Sequence, residues 1–223
     1  MQKFDTPAPV SAVLAVPAGR IRFIAAERAD TTVEVRPADA AKSRDVKAAQ
    51  RTGIAYADGV LRIEAPAAEN RILGASGCVE VTVRLPAGSR VEAKTAVAEL
   101  RGVGRLGDVV VEGHRAAVEL DETGSARIAL LAGDVSVGRL GGPAEISTQK
   151  GDLQVAEAVR GTVTLRTGHG GISVGAARGV SASLDAATSY GRIHDALRNT
   201  DGADTGLNVR ATTAYGDITA RSL

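Results

Sequence analysis

Large side chains are nearly absent from this chain. Its 223 residues include three Tyr, two Phe, one Met, one Cys and no Trp, which excludes a core assembled around a few large rings. The single cysteine, Cys78, excludes an intramolecular disulfide framework. No base is recognisable beside it in the run Gly77-Cys78-Val79-Glu80-Val81, so it reads as a small buried thiol at the start of a strand, not a nucleophile. Charge of one sign is also missing. Lys and Arg number 27 against 26 Asp and Glu, a formal net charge of +1, and no basic run forms the patch that tracks phosphates, so nucleic acid is not an expected partner. No apolar run approaches the roughly 18 residues of a membrane span. Near the N-terminus, Lys3, Asp5, Pro7 and Pro9 precede the short apolar stretch Val10 to Val16, which does not make a signal peptide. The expectation is no membrane span and a cytoplasmic location.

What the chain does have is small and β-branched residues: 40 Ala, 26 Gly and 25 Val. Hydrophobic residues make up 44%, which excludes disorder. A chain of this length can bury about 70% of its surface without a disulfide or metal staple. Small side chains repeated many times suit thin, regular layers.

To about residue 93 the pattern is that of strands. Val10, Ala12, Leu14 and Val16 share one face, Gly19 precedes Arg20-Ile21-Arg22-Phe23-Ile24, and Thr31 to Arg36 ends at Pro37. Asp39 to Arg51 breaks the alternation with alanines and charges and no Gly or Pro. It predicts the one helix, with Asp39 as N-cap and Gly53 past its end. Asp58-Gly59 between Ile54–Ala57 and Val60–Ile63 predicts a hairpin, and Val79 to Leu85 is a further strand ended by Pro86.

From there an internal repeat takes over, Thr-x-x-Gly-Asp-apolar-x-apolar. Its clearest copies are Thr148 to Val155 and Thr213 to Ala220, with Thr167 to Val174 and Thr188 to Ile193 between them, and weaker copies end at Val137, Leu120 and Leu100. The marker position, which a Gly precedes in the last five copies, falls at 99, 119, 134, 152, 171, 192 and 217. That period is too short for two helices and fits one coil of a β-solenoid with two apolar arms per coil. The predicted fold is all-β: a parallel β-solenoid or β-helix-like stack of coils of about 20 residues. One domain over 1–223 is expected, with capping strands and the helix in 1–93 and repeat coils in 94–223.

These motifs, together with Val81-Thr82-Val83-Arg84-Leu85-Pro86-Ala87-Gly88 and the helix ahead of Gly59-Val60-Leu61-Arg62-Ile63, resemble the bacterial putative-adhesin β-strand-repeat family, a domain of unknown function. The resemblance runs from about Val10 to Leu223. It implies a β-solenoid-like fold, no known enzymatic activity and no established catalytic residues.

Aligned copies read as columns. The residues at the marker position are Glu99, Glu119, Asp134, Asp152, Gly171, Arg192 and Asp217. One carboxylate per coil does not converge as a calcium site demands, and side-chain capping of the bend is the better reading. Thr95, Thr148, Thr167, Thr188 and Thr213 form a hydroxyl column suited to backbone groups at the corner. The histidines His114, His169 and His194 fall in different columns, which argues against zinc. Two places before the marker, small residues (Val97, Ala117, Ala132) give way to Lys150, His169, Tyr190 and Tyr215, with Arg192 alongside. This is the candidate partner-binding stripe, since Tyr is enriched at interface hot spots.

The reading is a non-enzymatic scaffold or interaction protein with no catalytic, metal or cofactor site. The alternative is a carbohydrate-binding or carbohydrate-active solenoid using the acid column and the Tyr pair. A protein partner, or a second copy, is expected at the C-terminal edge: Gly216-Asp217-Ile218-Thr219-Ala220 stops three residues before Leu223, and only the polar insertion 198–206 could cover it.

Overall fold

The computed structural model describes residues 1–66, 77–199 and 206–223. The protein is mostly β, with one helix among the described residues and mostly parallel pairing. It divides into two compact units, Met1–Ala117 and Val118–Leu223.

The first unit contains β1 (Gln2–Asp5), β2 (Ser11–Ala15), β3 (Ala18–Ala26), β4 (Asp30–Pro37), α1 (Ser43–Arg51), β5 (Gly53–Ala57), β6 (Val60–Glu64), β7 (Val79–Pro86) and the first part of β8 (Arg90–Ala132). Strand β8 runs through residue 93 without a break. β2 pairs in parallel with β6 on one side and with residues 90–94 of β8 on the other. β3 likewise pairs in parallel with β7 and with residues 97–103 of β8. Thus β2 and β3 form a two-armed layer lying between the layer β6–β7 and the chain of β8. Beyond β6–β7 the pairing turns antiparallel: β4 on β7, β1 on β4, and β5 on β6. The β5–β6 connection is the expected hairpin. Asp58 and Gly59 both have positive φ, 51° and 76°, the signature of a type I′ turn whose twist matches its strands.

The helix is shorter than predicted. It spans Ser43–Arg51 with Lys42 at the N-cap and no side-chain cap bond. Asp39 does not cap it. Its Oδ1 instead accepts the Ala41 N–H and its Oδ2 meets Lys42 Nζ at 3.1 Å, a local turn that competes with helix initiation. Gly53 lies past the helix end, as the first residue of β5. The helix is held to β7 by Asp45, which is buried and accepts the Cys78 N–H at 3.0 Å. A Cβ on Gly77 would sit 2.3 Å from the Arg44 carbonyl oxygen, so that approach requires glycine. Cys78 is half-buried just ahead of β7. Phe23, Leu14, Ile21, Leu61, Ile63, Leu85, Leu100 and Leu106 are large buried side chains of this unit.

The second unit continues β8 and adds β9 (Val135–Leu140), β10 (Ala144–Lys150), β11 (Leu153–Ala158), β12 (Gly161–His169), β13 (Ile172–Ala176), β14 (Ala182–Tyr190), β15 (Ile193–Ala196), β16 (Leu207–Tyr215) and β17 (Ile218–Ser222). Each repeat copy supplies two arms, one before and one after the Gly bend. The first arms pair in parallel in the order β8 (residues 126–132), β10, β12, β16, β14. The second arms follow as β8 (residues 118–123), β9, β11, β13, β17, β15. Equivalent residues stand opposite one another, so Val135, Leu153, Ile172 and Ile218 make one buried column and Val137, Val155, Val174 and Ala220 the next. Such columns explain the Ala and Val bias: each position is packed by its counterparts above and below, at the fixed spacing of paired strands.

The spatial order corrects the expected one. The final copy, β16–β17, does not end the second unit. It is flanked by β12–β13 on one side and by β14–β15 on the other. The anticipated docking edge at Gly216 to Ala220 is therefore already paired on both sides. The outermost layer is β14–β15, on whose far side no strand lies among the described residues. Of the predicted insertion 198–206, residues 200–205 lie outside the described residues.

Candidate contact surface

The bends of the second unit are built by three residue columns acting together. At the glycine, backbones approach too closely for a side chain. A Cβ at Gly151 would lie 2.1 Å from the Gly133 carbonyl oxygen, and at Gly216 2.0 Å from that of Gly170. Both residues also have positive φ, 145° and 150°, so glycine is required twice over. Next to it, the acids are occupied structurally. Asp134 Oδ1 accepts the Asp152 N–H at 2.8 Å, Asp152 Oδ1 the Gly171 N–H at 2.7 Å, and Asp217 Oδ1 the Arg192 N–H at 2.8 Å. Each carboxylate thus caps the bend of the neighbouring layer. Glu99 is used differently: its carboxylate and that of Glu80 flank Arg20, at 3.2 and 3.0 Å. The threonines complete the corner. Thr167, Thr213 and Thr188 donate to the carbonyls of Gly151, Gly170 and Gly216, each at 3.0 Å. Thr148 donates to the Lys150 carbonyl in its own bend.

This corner fixes the stripe. The carbonyls of Lys150, His169, Tyr215 and Tyr190 accept the N–H groups of Gly133, Gly151, Gly170 and Gly216 respectively. Cα atoms pair as Lys150 with His169, His169 with Tyr215, and Tyr215 with Tyr190. In sequence His169 and Tyr190 look adjacent; in space Tyr215 stands between them. The rings lie face to face. His169 and Tyr215 have centroids 4.7 Å apart and planes within 6°, and Tyr215 and Tyr190 are 4.8 Å apart and within 3°. That separation is the strand spacing itself. Tyr190 is 67% and Tyr215 49% exposed, and Lys150, His169 and Arg192 are exposed too. The result is a solvent-facing stack whose middle ring is covered on both faces, while the outer face of Tyr190 meets no ring among the described residues. Lys150 stands beyond the His169 end, and Arg192 follows the Tyr190 bend.

The histidines are dispersed: His169 is in the stack, His194 is on β15 opposite Thr219, and His114 is on β8 in the first unit. Sequence reading passed over a second ring contact. Phe4 on β1 and Tyr56 on β5 meet with centroids 5.3 Å apart at 39°. Both are half-buried, and they join the two antiparallel strands at the outer side of the first unit. No repeat phase relates them, so only the shared scarcity of rings could have pointed to the pair. The first unit also holds a cavity of about 310 Å³ lined by Gly19, Arg20, Ala38, Cys78, Val97, Ala98 and Glu99. Its two charged groups are already paired with each other.

No family model matches the chain, and no curated protein matches it significantly. Among solved structures it is similar to "a putative cell adhesion protein" from Clostridium sporogenes, at 12% identity over 100% of this chain and 98% of that one, with a TM-score of 0.42. It is also similar to "a putative adhesin" from Bacteroides fragilis, at 12% identity over 98% and 95% with a TM-score of 0.41, and to a "putative adhesin" from Parabacteroides distasonis, at 15% identity over 98% and 95% with a TM-score of 0.44.

Proposed function

We propose that the protein is a non-enzymatic β-solenoid scaffold of adhesin-like type, and that the stripe Lys150, His169, Tyr215, Tyr190 and Arg192 is the surface it presents to a protein partner. The observation that carries this reading is the exposed ring stack. Two tyrosines of a chain with only three stand in the open at adjacent positions, where they do not serve the core. Rigid aromatic side chains lose little entropy on binding and offer both apolar area and a hydroxyl.

The carbohydrate reading has less support. A sugar ring stacks on an aromatic face, and the faces of Tyr215 are taken by His169 and Tyr190. A glycosidase needs two carboxylates flanking one bond, whereas Asp134, Asp152 and Asp217 each hold the N–H of a neighbouring bend.

The test is affinity capture with crosslinking from the native cells, comparing the wild type with the Tyr190→Ser/Tyr215→Ser double variant. The expected result is a melting temperature within about 2 °C of wild type, as for exposed substitutions, together with loss of a captured protein. A variant that unfolds readily, or captures the same proteins, overturns the reading. Binding to a glycan array that the double variant abolishes would transfer the stripe to the alternative.

A further inference from the structure

The geometry points to a second mode of binding: strand β14 is a docking edge that takes an extended segment of a partner protein in parallel register, a segment with a basic residue followed five positions later by a planar aromatic one. This goes beyond the stripe, because the pairing is made by the backbone of β14 and the charge of Asp185, and only Tyr190 is shared with the stripe.

The core runs out at this edge before its exposure does. The inward positions of β16, Leu207, Val209, Ala211 and Thr213, are all buried, and Ala182, Leu184, Ala186 and Thr188 stand opposite them on β14. Of these, Leu184, Ala186 and Thr188 are only half-buried. On the second arm Ile193 is 45% exposed, where its neighbour Ile218 is 1% exposed. At the start of β14 the Ala182 N–H already donates to the Arg198 carbonyl at 3.2 Å; beyond it no strand pairs with the outer edge of β14 among the described residues, and a strand added there would cover these groups, the mode called β-augmentation.

The outward column of the first arms states what charge that strand needs. Opposite one another in order stand Arg127, Glu145, Thr164, Arg210 and Asp185. The charges alternate along the column, Arg127 and Glu145 being an ion pair at 3.8 Å, and the column ends on the carboxylate of Asp185. The next strand completes it with a cation. Five residues on from Asp185, Tyr190 ends the ring stack with one face open, and the next strand completes that with a flat ring. A segment in the same direction as every other strand of this unit meets both positions at once.

The second arm argues against a second copy of this chain as occupant. In the core column where inner layers carry Val137, Val155, Val174 and Ala220, β15 carries Asp195. An inward-pointing charge protects an edge from like pairing, and two copies stacked end to end would close that carboxylate into the joint. A single strand on β14 leaves Asp195 in water.

Strand β16 already satisfies both requirements from the inner side of β14, with Arg210 opposite Asp185 and Tyr215 opposite Tyr190. A fluorescein-labelled nonapeptide of the sequence Leu207 to Tyr215 is therefore the probe, titrated with the whole protein by fluorescence anisotropy. Saturable binding is expected. Asp185→Arg should weaken it roughly tenfold, and a peptide with Glu in place of its Arg should recover affinity for that variant, as cross-strand charge pairs predict. Should Asp185→Arg not fold, Asp185→Asn should weaken binding about threefold. Tyr190→Ser should cost about threefold. Absence of binding, or binding indifferent to both Asp185 variants and to Tyr190→Ser, overturns the proposal. So does self-association in light scattering that Asp185→Arg abolishes, which would give the edge to a second copy.

Discussion

The two units share a topological device and differ in how they finish it. In the first, the layer β2–β3 lies between β6–β7 and β8. In the second, the final layer β16–β17 lies between β12–β13 and β14–β15. Each unit thus tucks the layer nearest its chain end inside a neighbour that comes elsewhere in sequence. Beyond that, the first unit adds antiparallel strands β4, β1 and β5, a helix and the Phe4–Tyr56 contact, which blunt its edge. The second unit adds no strand among its described residues and leaves β14–β15 and a stacked tyrosine facing water. The outer layer of the first unit is therefore covered by antiparallel strands, while that of the second has no pairing strand among the described residues.

The tucked layers offer the strongest test of what the units share. A Cβ on Gly19, the second residue of β3, would lie 1.9 Å from the Val79 carbonyl oxygen; on Gly216 it would lie 2.0 Å from that of Gly170. Both glycines also have positive φ, 145° and 150°. Gly19→Ala and Gly216→Ala should each destabilise by about 3 kcal/mol or more, combining overpacking with backbone strain. Gly179→Ala, also at positive φ but facing open space, should lose only about 1 kcal/mol. Urea unfolding of the three variants measures this. Equal, small losses would mean that the layers can part, and the shared device would lose its physical basis.

The difference between the two outer sides predicts opposite responses to losing a ring. Phe4 is half-buried against Tyr56, so Phe4→Ala should destabilise by about 1–2 kcal/mol, less than a fully buried Phe because part of the ring is already wet. Tyr190→Ser removes a ring that is 67% exposed and should stay within about 0.5 kcal/mol. If thermal melts rank the two variants the other way, the second unit's edge is closed by its own ring stack and is not open for binding.

How much of this could be read from sequence differs by column. The register was legible, because Thr-x-x-Gly-Asp sets the bend through residue types with only one good use there: a hydroxyl for a carbonyl, glycine for close approach, a carboxylate for an N–H. The hairpin at Asp58-Gly59 was legible for the same reason. The order of the layers was not. Thr188 and Thr213, Tyr190 and Tyr215, Ile193 and Ile218 are the same residue types, so either copy fits beside β12–β13, and parallel strands need not follow one another along the chain. One signal did exist: Asp195 occupies a position that is Val or Ala in the inner layers, and a charge is tolerable there only on the outside. The antiparallel finish of the first unit was also hidden, since alternation marks a strand but not its direction. At the stripe, the aligned columns picked out the residues, and only the layer order shows which ring is covered on both faces.

The smallest effect concerns the clasp that holds β1 to β4 on the closed side. Asp30 receives Lys3 Nζ at 3.2 Å and Arg28 Nη2 at 2.9 Å. Burial by itself would raise its carboxyl, but the hydrogen bonds and charges of Lys3 and Arg28 outweigh this and hold it below the ordinary carboxylate value. A depressed pKa in the folded state means that the contribution to stability is present above the unfolded value, about 4, and is lost as pH falls through the folded one. Asp30→Asn should therefore lower the melting temperature slightly at pH 7, in keeping with the modest worth of exposed ion pairs. The gap between variant and wild type should close as the wild type is taken toward pH 3. A gap that persists undiminished at low pH would assign the loss to the geometry of the new amide, and the clasp would drop out of what distinguishes the closed side from the open one.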